Sequence, residues 1–320
     1  MLHKFYPHHH PLTREAIEWL LAHFLDAAAS ENWSDLVIGN ITVEFPDGIR
    51  RAKVRTTNTQ FAALDRKNTI EYANGYEPAT GALIDRLVPE DGVLFDIGAN
   101  WGYFSIYLAT RPSFHGTVHA FEPIPDTFQD LSGLITDLGL NERVQAHKVA
   151  LSDVVGEATM SIPGHHSGLA RISTTDDGLS VKLMKLDTLG FKRADFLKID
   201  AENHEREVIE GGRQTINEFK PYILFEDTFN SAEFIAAGPR HVSAVLGDMG
   251  YQLFLPLWMR PDDHFYPALI GDIENQKLAL FPLNYATGRS ALPGHTNLLA
   301  CHSSRVDEMR TMLTIENRSF

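Results

Sequence analysis

Residues Val93 to Tyr103 read V-L-F-D-I-G-A-N-W-G-Y, an apolar run that gives way to a glycine-punctuated turn and then to the helical pattern of Tyr103 to Ala109. Val93 to Ile97 has the near-continuous apolar character of a strand buried on both faces. Gly98 permits a turn closed to bulkier residues, and Gly102 lets the backbone approach a ligand closely. In an open α/β sheet, ligands sit beyond the carboxyl ends of the strands at the switch point, and this turn is placed there.

The same strand-then-helix alternation recurs downstream from Glu77. Thr117 to Phe121, Val144 to Leu151, Phe196 to Ile199 and Tyr222 to Phe225 read as further strands, with helical spacing over Thr127 to Leu138, His204 to Phe219 and Ser231 to Met249. That order predicts a doubly wound, mostly parallel sheet. Between Asp153 and Thr188 no helical period appears. Ala158 to Ile162 and Ser180 to Leu186 read as extra strands around a loop, Pro163 to Ser167, that carries His165 and His166, so an insertion beside the sheet edge is expected. Tyr251 to Trp258 and Thr296 to Cys301 supply two more strands separated by a Pro-rich loop. Upstream, Ile17, Leu20, Leu21, Phe24 and Leu25 mark an amphipathic helix over Leu12 to Ala29. Leu36 to Phe45 and Arg50 to Thr56 form a hairpin around Pro46-Asp47-Gly48. The expected organisation is an accessory α+β element over 1–75, then a main domain over 76–320 with its insertion at about 153–188.

Composition sets outer bounds. The 320 residues are 43% hydrophobic and 22% charged, ordinary for a folded protein of one or two domains. Asp and Glu outnumber Lys and Arg by 42 to 28, a formal charge of −14, which disfavours a nucleic-acid partner. The basic groupings Arg50-Arg51 with Lys53 and Arg55, and Lys192-Arg193, are short and read as solvated faces. Cys301 is the single cysteine, so neither an intramolecular disulfide nor a thiolate zinc site is expected. His8 to His10 read as a surface tail. No signal-peptide pattern opens the sequence and no stretch reaches the ~18 apolar residues of a membrane span, so a cytoplasmic protein is expected.

Two carboxylates narrow the ligand. Position 100 is Asn where the dinucleotide fingerprint G-x-G-x-x-G has its second glycine. Glu122, in F-E-P at the end of the second strand, lies 26 residues beyond Asp96, where an acidic side chain can hold a ribose diol. Asp96 at the neighbouring strand end attracts a cation and repels a pyrophosphate. S-adenosylmethionine, a nucleoside with sulfonium and ammonium charges and no phosphate, meets both demands. Each residue alone has a plain structural role, Asp96 capping the turn and Glu122 preceding a proline-initiated helix. Their placement at consecutive strand ends favours the nucleoside.

With those residues go A-L-S-D at Ala150 to Asp153 and K-I-D-A-E at Lys198 to Glu202. Together with Asp96 to Tyr103 and the F-E-P of Phe121 to Pro123, these motifs resemble, in order, those of FkbM-type S-adenosylmethionine-dependent methyltransferases over about Glu77 to Asp227. The resemblance implies a class I methyltransferase sheet of seven strands, the last antiparallel, and O-methylation of a sugar or specialised-metabolite hydroxyl. It further implies that Asp96, Gly98, Asn100 and Gly102 line the methionine part of the cofactor, that Glu122 meets its ribose and that Asp153 meets its adenine amino group. One departure stands out: the family commonly continues K-I-D-x-E-G-x-E, and here Asn203 and His204 follow Glu202.

Methyl transfer to a hydroxyl needs in-line alignment and a group that takes the acceptor's proton. Strand alternation puts Lys198 and Asp200 on one side, near the end of a central strand. Asp200 is placed to orient the acceptor or the cofactor ammonium, and Glu202, Glu226 or His204 to accept the proton, although the same charges also suit an internal ion pair. Asp200 and Glu226 would be oxygen ligands for Mg²⁺, but neither has a close acidic partner in sequence that fixes the geometry, and a metal-free reaction is expected. The expected activity is methyl transfer to a carbohydrate or small-molecule hydroxyl. Two rivals are an NAD-dependent oxidoreductase on the same sheet and a nucleoside-binding scaffold without catalysis.

Overall fold

The computed structural model describes residues 37–45, 48–55, 76–162, 170–173, 178–227, 241–259, 265–266, 276–284 and 296–317. The expected helix at Leu12 to Ala29, the His8 to His10 stretch and the loop bearing His165 and His166 lie outside them.

In chain order, β1 (Val37–Phe45) and β2 (Gly48–Arg55) make an antiparallel hairpin that closes with Phe45 opposite Gly48. There follow α1 (Pro78–Leu87), β3 (Val93–Ile97), α2 (Tyr103–Ala109), β4 (Thr117–Phe121), α3 (Pro125–Asp137) and β5 (Val144–His147). Next come β6 (Ala150–Leu151), β7 (Gly156–Ser161), β8 (Arg171–Ser173), β9 (Leu179–Met184), β10 (Phe196–Ile199), α4 (Glu205–Gly211), α5 (Arg213–Phe219) and β11 (Tyr222–Asp227). The remainder supplies α6 (Val242–Asp248), β12 (Tyr251–Met259), β13 (Phe265–Tyr266), β14 (Lys277–Pro282), β15 (Thr296–His302), α7 (Val306–Met312) and β16 (Thr314–Ile315).

The large sheet runs β5-β4-β3-β10-β11-β15-β12-β14-β16, with β13 beside β12. The first five strands are parallel and β15 enters antiparallel between β11 and β12, the expected class I methyltransferase arrangement. Alternation along the buried strands divides the apolar residues between two layers. Leu94, Phe196 and Leu224 pack with α1, α2, α3 and α7, while Phe95, Leu197 and Ile223 pack with α4, α5 and α6. Switching of the strand order between β3 and β10 leaves the loops after both strands on one end of the sheet, and the candidate site is built there.

Several elements depart from the sequence pattern. Val144 to Leu151 is two strands: the chain turns at Lys148 and Val149, and β6 leaves the large sheet to join a small one ordered β6-β9-β7-β8. This small sheet is the insertion. The helix expected over His204 to Phe219 breaks at Gly212, where a Cβ would press on the Leu186 side chain. Of Ser231 to Met249 the described part is α6. Between the last two expected strands lies β14, an unanticipated neighbour of β12. Arg50, expected on a solvated face, donates to the Leu138 carbonyl oxygen at the end of α3 (2.8 Å), and Ala52 beside it is fully buried, so the hairpin is packed on that helix. Among the described residues no helix is long and apolar enough to cross a membrane.

Candidate active site

Gly98 begins the turn after β3 at φ +71°, and a Cβ there would collide with the carbonyl oxygen of Asp200. The loops that follow β3 and β10 therefore touch through bare backbone. The Gly98 and Ala99 amides both donate to the Phe121 carbonyl oxygen at the end of β4 (3.1 and 2.9 Å). Asn100 takes φ +52°, a conformation that Asn tolerates better than most side chains.

Asp96 pairs in register with Lys198 on β10. Its carboxylate accepts from the Ser105 hydroxyl (2.7 Å) and lies 3.5 Å from Lys198 Nζ. That ammonium is also 3.2 Å from Asp200 Oδ2 and 3.4 Å from the Gly98 carbonyl oxygen, with the Phe104 ring beneath it. Burial alone would lower the lysine, but Asp200, Asp96 and Glu77 outweigh it and hold the ammonium above the ordinary lysine range. Lys198 and Asp200 thus do face one side.

Glu122 is buried at the end of β4. One oxygen accepts from the Asn100 amide (3.0 Å) and the other from the Ile124 amide (2.8 Å). Burial pushes this carboxyl up to about 7, against the lowering effect of the two amides. Each oxygen keeps a lone pair for a further donor.

Beyond β10 the chain passes through two consecutive left-handed residues, Glu202 (φ +51°) and Asn203 (φ +74°). The Asn203 conformation is the physical reason a glycine suits this position, and Asn is the next most compatible choice. Asp200, Glu202 and Glu226, all partly exposed, bring carboxylate oxygens within 4.8 Å of one another. Opposite them, Glu77 accepts from Thr80 Oγ1 (2.9 Å) and Asn297 Nδ2 (3.1 Å). Burial and then the Asp200 charge raise the Glu77 carboxyl, and Tyr76 beside it is raised chiefly by burial. His204 places Nε2 3.0 Å from Ser152 Oγ and Nδ1 3.6 Å from Glu207, and burial lowers it.

These groups surround a cavity of about 290 Å³. Gly98, Asn100, Glu122, Lys198, Asp200, Glu202, His204 and Glu226 lie on its wall, whereas Asp96, Gly102 and Asp153 do not. Asp96 acts from beneath, through Lys198. Gly102, at φ +88°, backs onto Leu131 of α3, and Asp153 accepts from Ser152 Oγ (3.3 Å) next to His204. The wall also holds Tyr76, Glu77, Thr80 and Asn297, which sequence reading missed. Their only early signal was Glu77 immediately before the proline that opens a helix. One end of the cavity is apolar, formed by Ile124, Val149 and Leu151 with Met160, Ala170 and Ile172 of the insertion region, and the other is acidic. The arrangement can hold a flat apolar group beside a diol at one end, and a cation or hydroxyl donors at the other.

Residues 96–253 match the methyltransferase FkbM domain. Among curated proteins, the hexuronic acid methyltransferase AglP of Haloferax volcanii is 28% identical over 130 residues, 38% of this chain and 50% of that protein. The AMB antimetabolite synthetase AmbE of Pseudomonas aeruginosa is 26% identical over 230 residues, 58% of this chain and 10% of that protein. The chain therefore spans half or less of these relatives. Among solved structures, the methyltransferase FkbM of Methylobacillus flagellatus aligns over 89% of this chain and 60% of its own at 13% identity and a TM-score of 0.42. An O-methyltransferase of Bacillus cereus in complex with SAH aligns over 78% and 90% at 16% identity and a TM-score of 0.40.

The raised Glu122 carboxyl has a measurable consequence. Between its ordinary value of 4.5 and about 7, the folded chain holds a proton that the unfolded chain has released, so stability falls as pH rises through that window. The loss is roughly 3 kcal/mol. Urea unfolding at pH 5 and pH 8 should show this fall in the parent and a clearly smaller one in Glu122→Gln. Identical pH dependence in the two proteins would show that the carboxyl ionises as freely folded as unfolded.

Proposed function

Because residues 96–253 form an FkbM-type methyltransferase domain, we propose that this chain transfers a methyl group from S-adenosylmethionine to a hydroxyl of a carbohydrate or specialised small molecule. The observation that carries the reading is the pairing, in one cavity, of Glu122 at the end of β4 with the Lys198–Asp200 ion pair at the end of β10. Glu122 would accept both ribose hydroxyls on the lone pairs its backbone partners leave open. The apolar end suits an adenine ring, and Gly98 and Asn100 border the methionine portion. When bound, the cofactor supplies an electrophilic methyl group on a sulfonium. Asp200, fixed by Lys198, orients the acceptor hydroxyl. Glu226, Glu202 or a neutral His204 takes the proton as the oxygen–carbon bond forms and the sulfur–carbon bond breaks. The hexuronic acid methyltransferase relative favours a carbohydrate acceptor.

The reading includes no metal. A divalent cation held by Asp200, Glu202 and Glu226 would lie close to the Lys198 ammonium, which already sits 3.2 Å from Asp200, and like charges at that range repel. The net charge of −14 favours a small acceptor over nucleic acid, and the single cysteine a cytoplasmic setting. We also retain residue 75 as the boundary between the accessory element and the methyltransferase unit.

Three measurements test this function. Calorimetry should give binding of S-adenosylhomocysteine and none of NAD, with Glu122→Ala weakening the former by about 1.5–3 kcal/mol, the range for a hydrogen bond to a charged group. NAD binding, or an unchanged affinity in the variant, would remove the assignment. In a panel of neutral and acidic glycosides assayed by S-adenosylhomocysteine release, Asp200→Asn should lower kcat by about 100-fold, and an unchanged kcat would reduce Asp200 to half of a structural pair. Chelator-treated protein titrated with Mg²⁺ or Mn²⁺ should give no isotherm; a 1:1 isotherm abolished by Glu226→Gln would assign the three carboxylates to a metal.

A further inference from the structure

The chain enters the acidic end of the cavity through a turn that few sequences adopt unaided. Ala201 and Glu202 lie on the cavity wall, and Glu202 and Asn203 are successive left-handed residues, neither of them glycine. Non-glycine residues in that region persist only where surrounding contacts over-determine them. The His204 amide donates to the Ala201 carbonyl oxygen (3.2 Å), and a second contact comes from Glu205, 3% exposed at the start of α4. Its Oε1 accepts from the Ala201 amide (3.0 Å) and from the Asn203 amide (3.2 Å), bracketing Glu202 between two hydrogen bonds to one atom. The preceding residue, Asp200, has its carbonyl oxygen against Gly98 and its amide bonded to the Ile97 carbonyl oxygen (3.0 Å). A shift of the turn would therefore pass directly into the loop after β3.

We infer that Glu205 is a positioning residue, a buried carboxyl clamp that holds the Ala201–Asn203 turn in its left-handed form and so sets the wall of the cavity against the loop after β3. It touches neither donor nor acceptor. Burial pushes its carboxyl up to about 8 despite the amides it accepts from, so near neutral pH the clamp works largely uncharged and an isosteric amide can replace it. Asn203 supplies the complementary handle. Glycine takes a positive φ without steric cost, so at that position it should lessen the need for the clamp.

The consequence for ligand binding rests on the cofactor reading above, and two readouts separate the inferences. On the full-length chain, the S-adenosylhomocysteine dissociation constant should rise about tenfold in Glu205→Ala, since small misplacements of positioning groups are costly. In Glu205→Gln it should stay within about threefold of the parent, the scatter of substitutions that leave contacts in place. Adding Asn203→Gly to Glu205→Ala should recover most of the loss. Hydrogen exchange of the Ala201 and Asn203 amides, read without ligand, should be faster in Glu205→Ala than in the parent. Parent-like affinity and exchange in Glu205→Ala overturn the clamp, as does a Glu205→Gln protein as impaired as Glu205→Ala, or a double variant with no recovery. If Glu205→Ala does not fold, Glu205→Asp, one methylene short of both amides, takes its place with the same expectations. A parent that binds no S-adenosylhomocysteine removes the cofactor reading, and the exchange comparison then decides the clamp alone.

Discussion

One ammonium organises the end of this sheet. Lys198 is almost wholly buried, and a charge in that position is tolerated only where opposite charges and hydrogen-bond acceptors surround it. Asp96 on the neighbouring strand, Asp200 two residues on and the Gly98 carbonyl oxygen provide them. The same contacts join β3 to β10 and bring the two following loops together. Such a network is poor evidence of net stability, because hydrophobic replacements of buried pairs are often neutral or better. What it fixes is geometry: where Asp200 points, and that its carboxylate stands beside a permanent positive charge.

Around that fixed point the cavity is assembled from parts far apart in the chain. The strand ends give Glu122, Asp200 and Glu226, the insertion gives the apolar Met160, Ala170 and Ile172, and β15 gives Asn297, which reaches Glu77 at the start of α1. The two ends differ in chemistry because the elements that close them differ. Helix and insertion residues packed over β6 leave little but aliphatic surface, whereas the loop after β10 and the end of β11 bring Asp200, Glu202 and Glu226 to the wall at the place where the parallel sheet meets its antiparallel strand. Such a container offers apolar surface at one end and charge at the other.

The parts legible in the sequence were those whose signal is local. D-I-G-A-N-W-G, F-E-P and K-I-D are each a strand, its end and its turn in a few consecutive residues, so both their placement and their convergence at one end of the sheet followed from the parallel pattern. Glu77 shows in the sequence only as the residue before a helix-opening proline, because its partner in the site is Asn297, 220 residues away. Val144 to Leu151 reads as one strand because no glycine or proline marks the His147-Lys148 step where the chain leaves one sheet for another. β14 was hidden in a proline-rich region whose composition resembles a loop, and ladder pairing with β12 overrode it. The break falls at Gly212, the second of two adjacent glycines, where a Cβ would press on Leu186, and the apolar period that runs on through Phe219 hides it.

The borders of the large sheet have a bearing on how the protein behaves at high concentration. A broad sheet with long free margins offers rows of unpaired amides and carbonyls to other copies of itself. Among the described residues the strands outermost in the ladder are β16, of two residues, and β5, of four. The nine-residue β12 pairs with β15 over Tyr251–Phe254 and with β14 over Phe254–Met259. Among the described residues the ladder thus ends on short strands at both sides, so the architecture that carries the cavity also restricts the margin open to edge-to-edge self-association.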